Sequence, residues 1–183
     1  MKRFLKILIE AIADSEKYRQ EVSGWDIDLF FLTAQLHDVG KIAVADHILN
    51  KADKLTDKEY EDIRVHVDHG LKIVNNMQGN SISSEFIIGA RAMIGSHHER
   101  WDGTGYPQGL RGEEIPLMGR LMAIVDVYSA LTTDRPHRKL LPHREAVEIM
   151  SNGSGTHFDP DLLRIFLDCE KQIEYSNNRL KSA

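Results

Sequence analysis

The sequence predicts an all-α fold, and three observations predict it. Apolar residues recur at helical spacing in most segments, several segment starts carry capping residues, and no stretch alternates apolar and polar residues as a strand would. The 183 residues are expected to form a single domain, long enough to bury a real core. A content of 42% hydrophobic and 28% charged residues is that of a soluble globular chain, and a net charge of -5 argues against long nucleic acids as partners. A small anionic ligand stays compatible with that charge, because bound cations reverse the local field.

The opening KRFLKILIEAIA has a basic end and an apolar run, the ingredients of a signal peptide. Lys6 and Glu10 interrupt that run at helical spacing, so it reads as an amphipathic helix. No apolar run is long enough to span a bilayer. Leu29, Leu32 and Leu36 share one face of a second helical segment, predicted to stop at Gly40. Thr56-Asp57-Lys58-Glu59 has the pattern of a capping box, followed by the stripe Tyr60, Ile63, Val67, Leu71 and Val74. A further helix is expected over Ser84 to Ile94. Gly103 to Pro116, with four glycines and two prolines, reads as a structured loop. Leu117 to Leu131 is a strongly apolar helix, and Asp159-Pro160 reads as an N-cap with proline at the first helical position. The polar tail beyond Tyr175 is expected to fray. The lone Cys169 cannot form an internal disulfide, which excludes a zinc-thiolate site and suits a reducing, cytoplasmic setting.

Five places carry potential chemistry: His37-Asp38, Lys41, His66, His97-His98 and Asp126. Neutral imidazoles and carboxylates are the donors that divalent ions such as iron or manganese take, and a carboxylate can bridge two ions. Asp126 sits in LMAIVDVYSAL, where few helical faces are exposed, so its carboxylate must be bound to a metal or paired, for instance with Arg120. Lys41, just beyond His37-Asp38, is placed to meet a phosphate oxygen. A lone histidine such as His66 is more often a packed residue than a ligand. Three imidazole sites and two carboxylates in one chain make metal binding the better reading. Trp101 and Tyr106 either stack on a nucleobase or anchor the loop. Arg135, Arg138 and Lys139 form a basic cluster suited to a phosphate or a guanine edge, or to a solvated helix end. His47, His69, His137, His143 and His157 read as surface or supporting residues.

Taken together, QLHDVGKI, HHERWDGTGYPQGLRGEEIP, RLMAIVDVYSALTTDRP and GTHFDP resemble the HD-GYP family of bacterial phosphodiesterases, from about Trp25 to Leu167. The resemblance implies a helical HD bundle with a glycine-rich GYP loop and two or three divalent metals, commonly iron or manganese. It implies hydrolysis of cyclic di-GMP to linear pGpG or GMP in second-messenger signalling. Carried over by position, His37, Asp38, His66, His97, His98 and Asp126 would hold metal, with Asp38 bridging. Asp38 and Lys41 would be catalytic, with Lys41 on the scissile phosphate. Arg135, Arg138, Lys139 and Tyr106 would contact substrate. Gly105, Tyr106 and Pro107 would shape the site or dock a diguanylate cyclase domain.

The pattern departs from the family in places. No histidine precedes His37, where the family places a further ligand, so the chain is expected to begin inside the family's first helix and to bind metal weakly. Glu10, Asp14 or Glu16 are the substitutes at hand, and Phe4, Leu5, Leu8 and Ile12 of that shortened helix are expected to be exposed and to favour dimers. Ser129 replaces a usual aspartate, His137 a usual tyrosine, and Ala52-Asp53 a usual Pro-Gly turn. Two other readings follow: a weak or inactive module that binds the messenger or a cyclase domain, and a phosphohydrolase for another cyclic dinucleotide.

Overall fold

The computed structural model describes the chain except for residues 52, 78–81, 135–138 and 182–183. Among the described residues, eleven α-helices follow in order: α1 Lys2–Ala13, α2 Arg19–Val22, α3 Ile27–Ala34, α4 Asp46–Leu49, α5 Asp57–Arg64, α6 His66–Asn76, α7 Ser84–Ser96, α8 Leu117–Thr132, α9 His143–Ser151, α10 Pro160–Asp168 and α11 Glu170–Lys181. Short 3₁₀ turns cover Val39–Ala43 and Gly112–Glu114. Among the described residues there is no strand, only an isolated bridge between Ser154 and Phe158.

Helix α8 is the central post. It buries Leu117, Leu121, Met122, Ile124, Val125, Tyr128 and Leu131, and packs against α7, α9, α1 and α10. Helix α1 buries one amphipathic face, Phe4, Leu5, Leu8, Ile9 and Ile12, in the same apolar cluster. Each such side chain contributes roughly 1.5–3 kcal/mol of transfer free energy. This corrects the expectation of an exposed first helix. Phe4, Leu5, Leu8 and Ile12 are all under 3% exposed, because α10 and α11 close over the face that the sequence left unpartnered.

Three further expectations need correcting. Helix α3 ends at Ala34, with turns through Asp38, and its buried face is Phe30, Phe31 and Ala34; Leu32 is exposed. The α5–α6 stripe breaks at Val65, leaving Tyr60 outside. Beyond Tyr175 the chain continues as α11, whose own Asn177 is buried. The capping predictions fare better. The Thr56 box is formed in both directions, and Asp159 Oδ1 accepts from the Asp161 and Leu162 N–H groups ahead of Pro160.

Two close approaches position the site. The turn at Val39–Ala43 lies directly on α6, and a Cβ at Gly40 would collide with the His66 carbonyl oxygen. Helix α8 crosses α7 at Gly119, where a Cβ would collide with the Ser96 hydroxyl. These contacts bring the ends of α3, α6 and α7 to the flank of α8. A second, smaller apolar cluster of Val67, Val74, Ile87, Ala90 and Ile94 lies beneath them.

Candidate metal centre

Four donors converge where these elements meet: Asp38, His66, His97 and His98 offer ligand atoms that all lie within 4.8 Å of one another. Each histidine owes its place to a break in helical structure. His66 opens α6 after the Val65 break, and His97 and His98 follow the end of α7, where the backbone turns. His37 precedes Asp38 in the turns after α3 and completes one wall.

Three of the rings are oriented by the backbone. His37 Nδ1 donates to the Ala34 carbonyl at 2.8 Å, His66 Nδ1 to Ile63 at 2.7 Å, and His97 Nδ1 to Met93 and Ile94 at 3.0 Å each. Carbonyls only accept, so these bonds assign the proton to Nδ1 and leave the Nε2 lone pair facing inward. His66 Nε2 and His97 Nε2 are then 3.4 Å apart, acceptor against acceptor. Asp38 Oδ1 faces both, 3.5 Å from His66 Nε2 and 3.8 Å from His97 Nε2. Oδ1 is buried without a hydrogen-bond partner, and so is His37 Nε2. Buried acceptors of this kind are costly unless a donor or a cation lies among them. The donor set, imidazole nitrogen with carboxylate oxygen, is the one borderline divalent metals take.

For His66, His98 and Asp38 the electrostatics agree. Burial, and then the neighbouring His97 and His66, push His98 down to about 2, and burial lowers His66 as well. Both are thereby neutral, the form that binds metal. Burial alone would raise Asp38, but His37, His97 and Lys41 outweigh it and hold the carboxyl far below the usual carboxylate range. Burial likewise opposes charge on His37, yet Asp38 and Asp126 win and raise it.

Of the other expected site residues, Lys41 Nζ contacts Asp38 Oδ2 at 2.6 Å. Asp126 is only partly buried on α8, 3.9 Å from His37 Nε2. Arg120 does not pair with it. Arg120 donates instead to Asp159 Oδ2 at 2.7 Å, inside a buried network with Tyr18. Tyr106 stacks on His98, with ring centroids 4.7 Å apart and planes 24° from parallel. Lys139 is exposed, while Arg135, His137 and Arg138 lie outside the described residues, as does Ala52. Glu10, Asp14 and Glu16 are exposed and do not join the cluster. Among the residues left aside, His143 bonds the Tyr128 hydroxyl at 2.8 Å and His157 stacks on Phe158.

Glu99 is the functional residue that sequence reasoning passed over. It is 1% exposed, and its two oxygens accept the Gln108 and Leu110 N–H groups at 2.7 and 3.1 Å. It thereby folds the glycine-rich loop back over His98. At Gly105 the loop lies so close that a Cβ would collide with the Arg100 nitrogen. The available signal was an acid directly before a loop rich in backbone donors.

A helical domain that presents a carboxylate among inward-facing imidazoles has the donor set of a metal-binding domain. The chain belongs to the HD-domain family, which it matches over residues 6–162. It is 41% identical over 165 residues to a probable cyclic di-GMP phosphodiesterase of Vibrio cholerae, covering 90% of this chain and 37% of that protein. It is 35% identical over 143 residues to a 3'3'-cGAMP-specific phosphodiesterase 2 of the same organism, covering 78% and 26%. The solved structure of Bd1817, an HDG"Y"P protein from Bdellovibrio bacteriovorus, matches with a TM-score of 0.62 at 22% identity, over 93% of this chain and 51% of that one. The last likeness concerns the fold. The chain spans about a third of the length of the curated relatives. No helix among the described residues is long and apolar enough to cross a membrane.

Proposed function

We propose that this chain is a metal-dependent phosphodiesterase that hydrolyses cyclic di-GMP to linear pGpG or GMP in bacterial signalling, in the cytoplasm. The observation that carries the reading is the confrontation of three acceptors, His66 Nε2, His97 Nε2 and Asp38 Oδ1, in one buried pocket. His37, Asp38, His66, His97, His98 and Asp126 would hold two, or with an added ligand three, divalent ions, iron or manganese. Asp38 would bridge the ions, a reading supported by its two oxygens facing different partners, Oδ1 toward His66 and His97 and Oδ2 toward His37 and Lys41. When bound, such ions supply Lewis acidity at phosphorus and activate water at neutral pH.

The chain's own residues do the rest. Lys41 sets a cation where charge develops on the phosphoryl oxygens. Tyr106 walls the pocket, and Arg135, Arg138 and Lys139 would take the second phosphate or a guanine edge. The exposed loop tip at Pro107 to Gly109 leaves a face on which a diguanylate cyclase domain could dock.

A second substrate is favoured by one finding, the similarity to a relative specific for 3'3'-cGAMP. Both are tested together. The chain is purified anaerobically, loaded with ferrous or manganous ion, given either dinucleotide, and its products resolved by chromatography beside an Asp38→Ala control. Linear product from cyclic di-GMP that disappears in the control supports the proposal, and preference for cGAMP reassigns the substrate. Binding without turnover by a metal-loaded chain would make it a receptor module.

A further inference from the structure

Of the clustered imidazoles, His98 is held differently. His37, His66 and His97 each donate a ring N–H to a backbone carbonyl, whereas the His98 ring makes no hydrogen bond among the described residues. Rings surround it instead: His97 at 4.0 Å is tilted 42°, His66 at 5.1 Å is edge-on, and Tyr106 alone is stacked face to face. Tyr106 lies nearly parallel on it at 4.7 Å, and the Arg64 guanidinium covers the Tyr106 ring 4.4 Å from the centroid. Arg64 is itself tethered, donating to Glu61 Oε1 at 2.9 Å. The backbone closes the arrangement, since Tyr106 N–H donates to the His98 carbonyl at 3.2 Å.

We propose that Arg64 and Tyr106 are positioning residues for His98, a cation–aromatic–imidazole stack that orients this ligand as backbone hydrogen bonds orient the other three. The inference rests on the metal-site reading above and goes beyond it by assigning Arg64 a role. A metal ligand needs a partner that fixes its ring plane, and a hydrogen bond is the usual means. A stack fixes the plane equally well but leaves both ring nitrogens unengaged by protein. A guanidinium over a tyrosine face is attractive, and being planar it can lie flat on the ring. The stack also joins three separate segments: the end of α5, the glycine-rich loop and the end of α7. Arg64 and His66 flank the same Val65 break, so one interruption of the helix serves both His66 and His98. The GYP loop would thereby sense or set the occupancy of the metal site, because moving Tyr106 frees His98.

The test is metal binding by the full chain, without substrate. Manganese affinity is measured by competition with a chelator, and the cobalt-substituted protein is followed by its visible absorption, which reports ligand geometry. Tyr106→Phe keeps the stack and should keep both affinity and spectrum. Tyr106→Leu should weaken one metal site by roughly 10–100-fold, the loss usual when a ligand's supporting partner is removed. Arg64→Ala should weaken the same site by roughly two- to fivefold, the reach of an exposed cation–π contact, and shift the cobalt spectrum in the same sense. Circular dichroism and thermal unfolding check that each variant is folded. Wild-type binding with Tyr106→Leu and Arg64→Ala unchanged overturns the stack and leaves the metal site standing. A wild-type chain that takes up neither metal overturns both. If Tyr106→Leu fails to fold, Arg64→Ala against wild type decides the matter, since Arg64 lies at the surface end of the stack.

Discussion

The Lys41 ammonium lies 2.6 Å from Asp38 Oδ2, while Asp38 Oδ1 turns away from it toward His66 and His97. One carboxylate is thus shared between a cation of the chain and a pocket of imidazole lone pairs. On the proposed function the two tasks of the site are separate: Asp38 would organise the metal pocket, and Lys41, partly exposed, would meet the substrate.

Lys41→Met should therefore leave metal content unchanged and lower turnover of the cyclic dinucleotide by about 10²–10³, the usual loss when one preorganised charge at a transition state is removed. Metal analysis beside single-turnover kinetics reads both quantities. Loss of metal in this variant would move Lys41 from substrate contact to support of the pocket.

Glu99 should matter for the loop more than for the pocket. In Glu99→Ala the Gln108 and Leu110 N–H groups lose their acceptor, at a cost of about 2–4 kcal/mol in denaturant unfolding. Amide exchange at these two positions should accelerate more than at α8. Uniform acceleration would show that the loop is held by other contacts.

Gly40→Ala drives a methyl group into the His66 carbonyl, which is rigid backbone. Overpacking of this kind costs about 1–3 kcal/mol, occasionally more. Because the shift separates Asp38 from His66, manganese affinity should fall with stability. Alanine at Gly155, which has open space around it, is strained only by its positive φ and should leave metal binding alone.

Acid should destabilise the metal-free chain well before its carboxylates titrate. Burial, and then Arg100, lower His157 from its ordinary 6.5 to about 4. The folded ring binds its proton more weakly than the unfolded one, so stability is full above pH 6.5 and falls as pH drops toward 4. The slope is at most about 1.4 kcal/mol per pH unit for one proton. His66 and His98, also lowered, act in the same direction, while His37, raised, acts oppositely and loses its contribution as pH rises. Urea unfolding at pH 7 and pH 4.5 should show the decline, and His157→Gln should reduce it. An unchanged slope in that variant would place the proton uptake elsewhere.

Local signals were legible wherever the physics was local. Helical spacing located α1, α7, α8 and α10, the Thr56 and Asp159 caps were visible as residue patterns, and the glycine and proline content marked the loop after Arg100. Residue type alone nominated Asp38, His66, His97 and His98, because few other side chains suit a divalent ion. What those signals could not carry was which faces meet. Phe4, Leu5, Leu8 and Ile12 look unpartnered until α10 and α11 cover them, and Leu32 looks buried until Phe30 and Phe31 take the core side of α3. Arg120 lies closer in sequence to Asp126 than to Asp159, yet the buried pair forms across 39 residues. Arg64 has no distinguishing local pattern, and Glu99 is marked only by standing before the glycine-rich loop; their roles depend on that loop folding back and on a ring arriving from another segment. Helix, cap and ligand chemistry are properties of neighbours along the chain and are set by sequence. Burial, ion pairing and the orientation of each imidazole are set by contacts between distant segments, and only tertiary packing decided them.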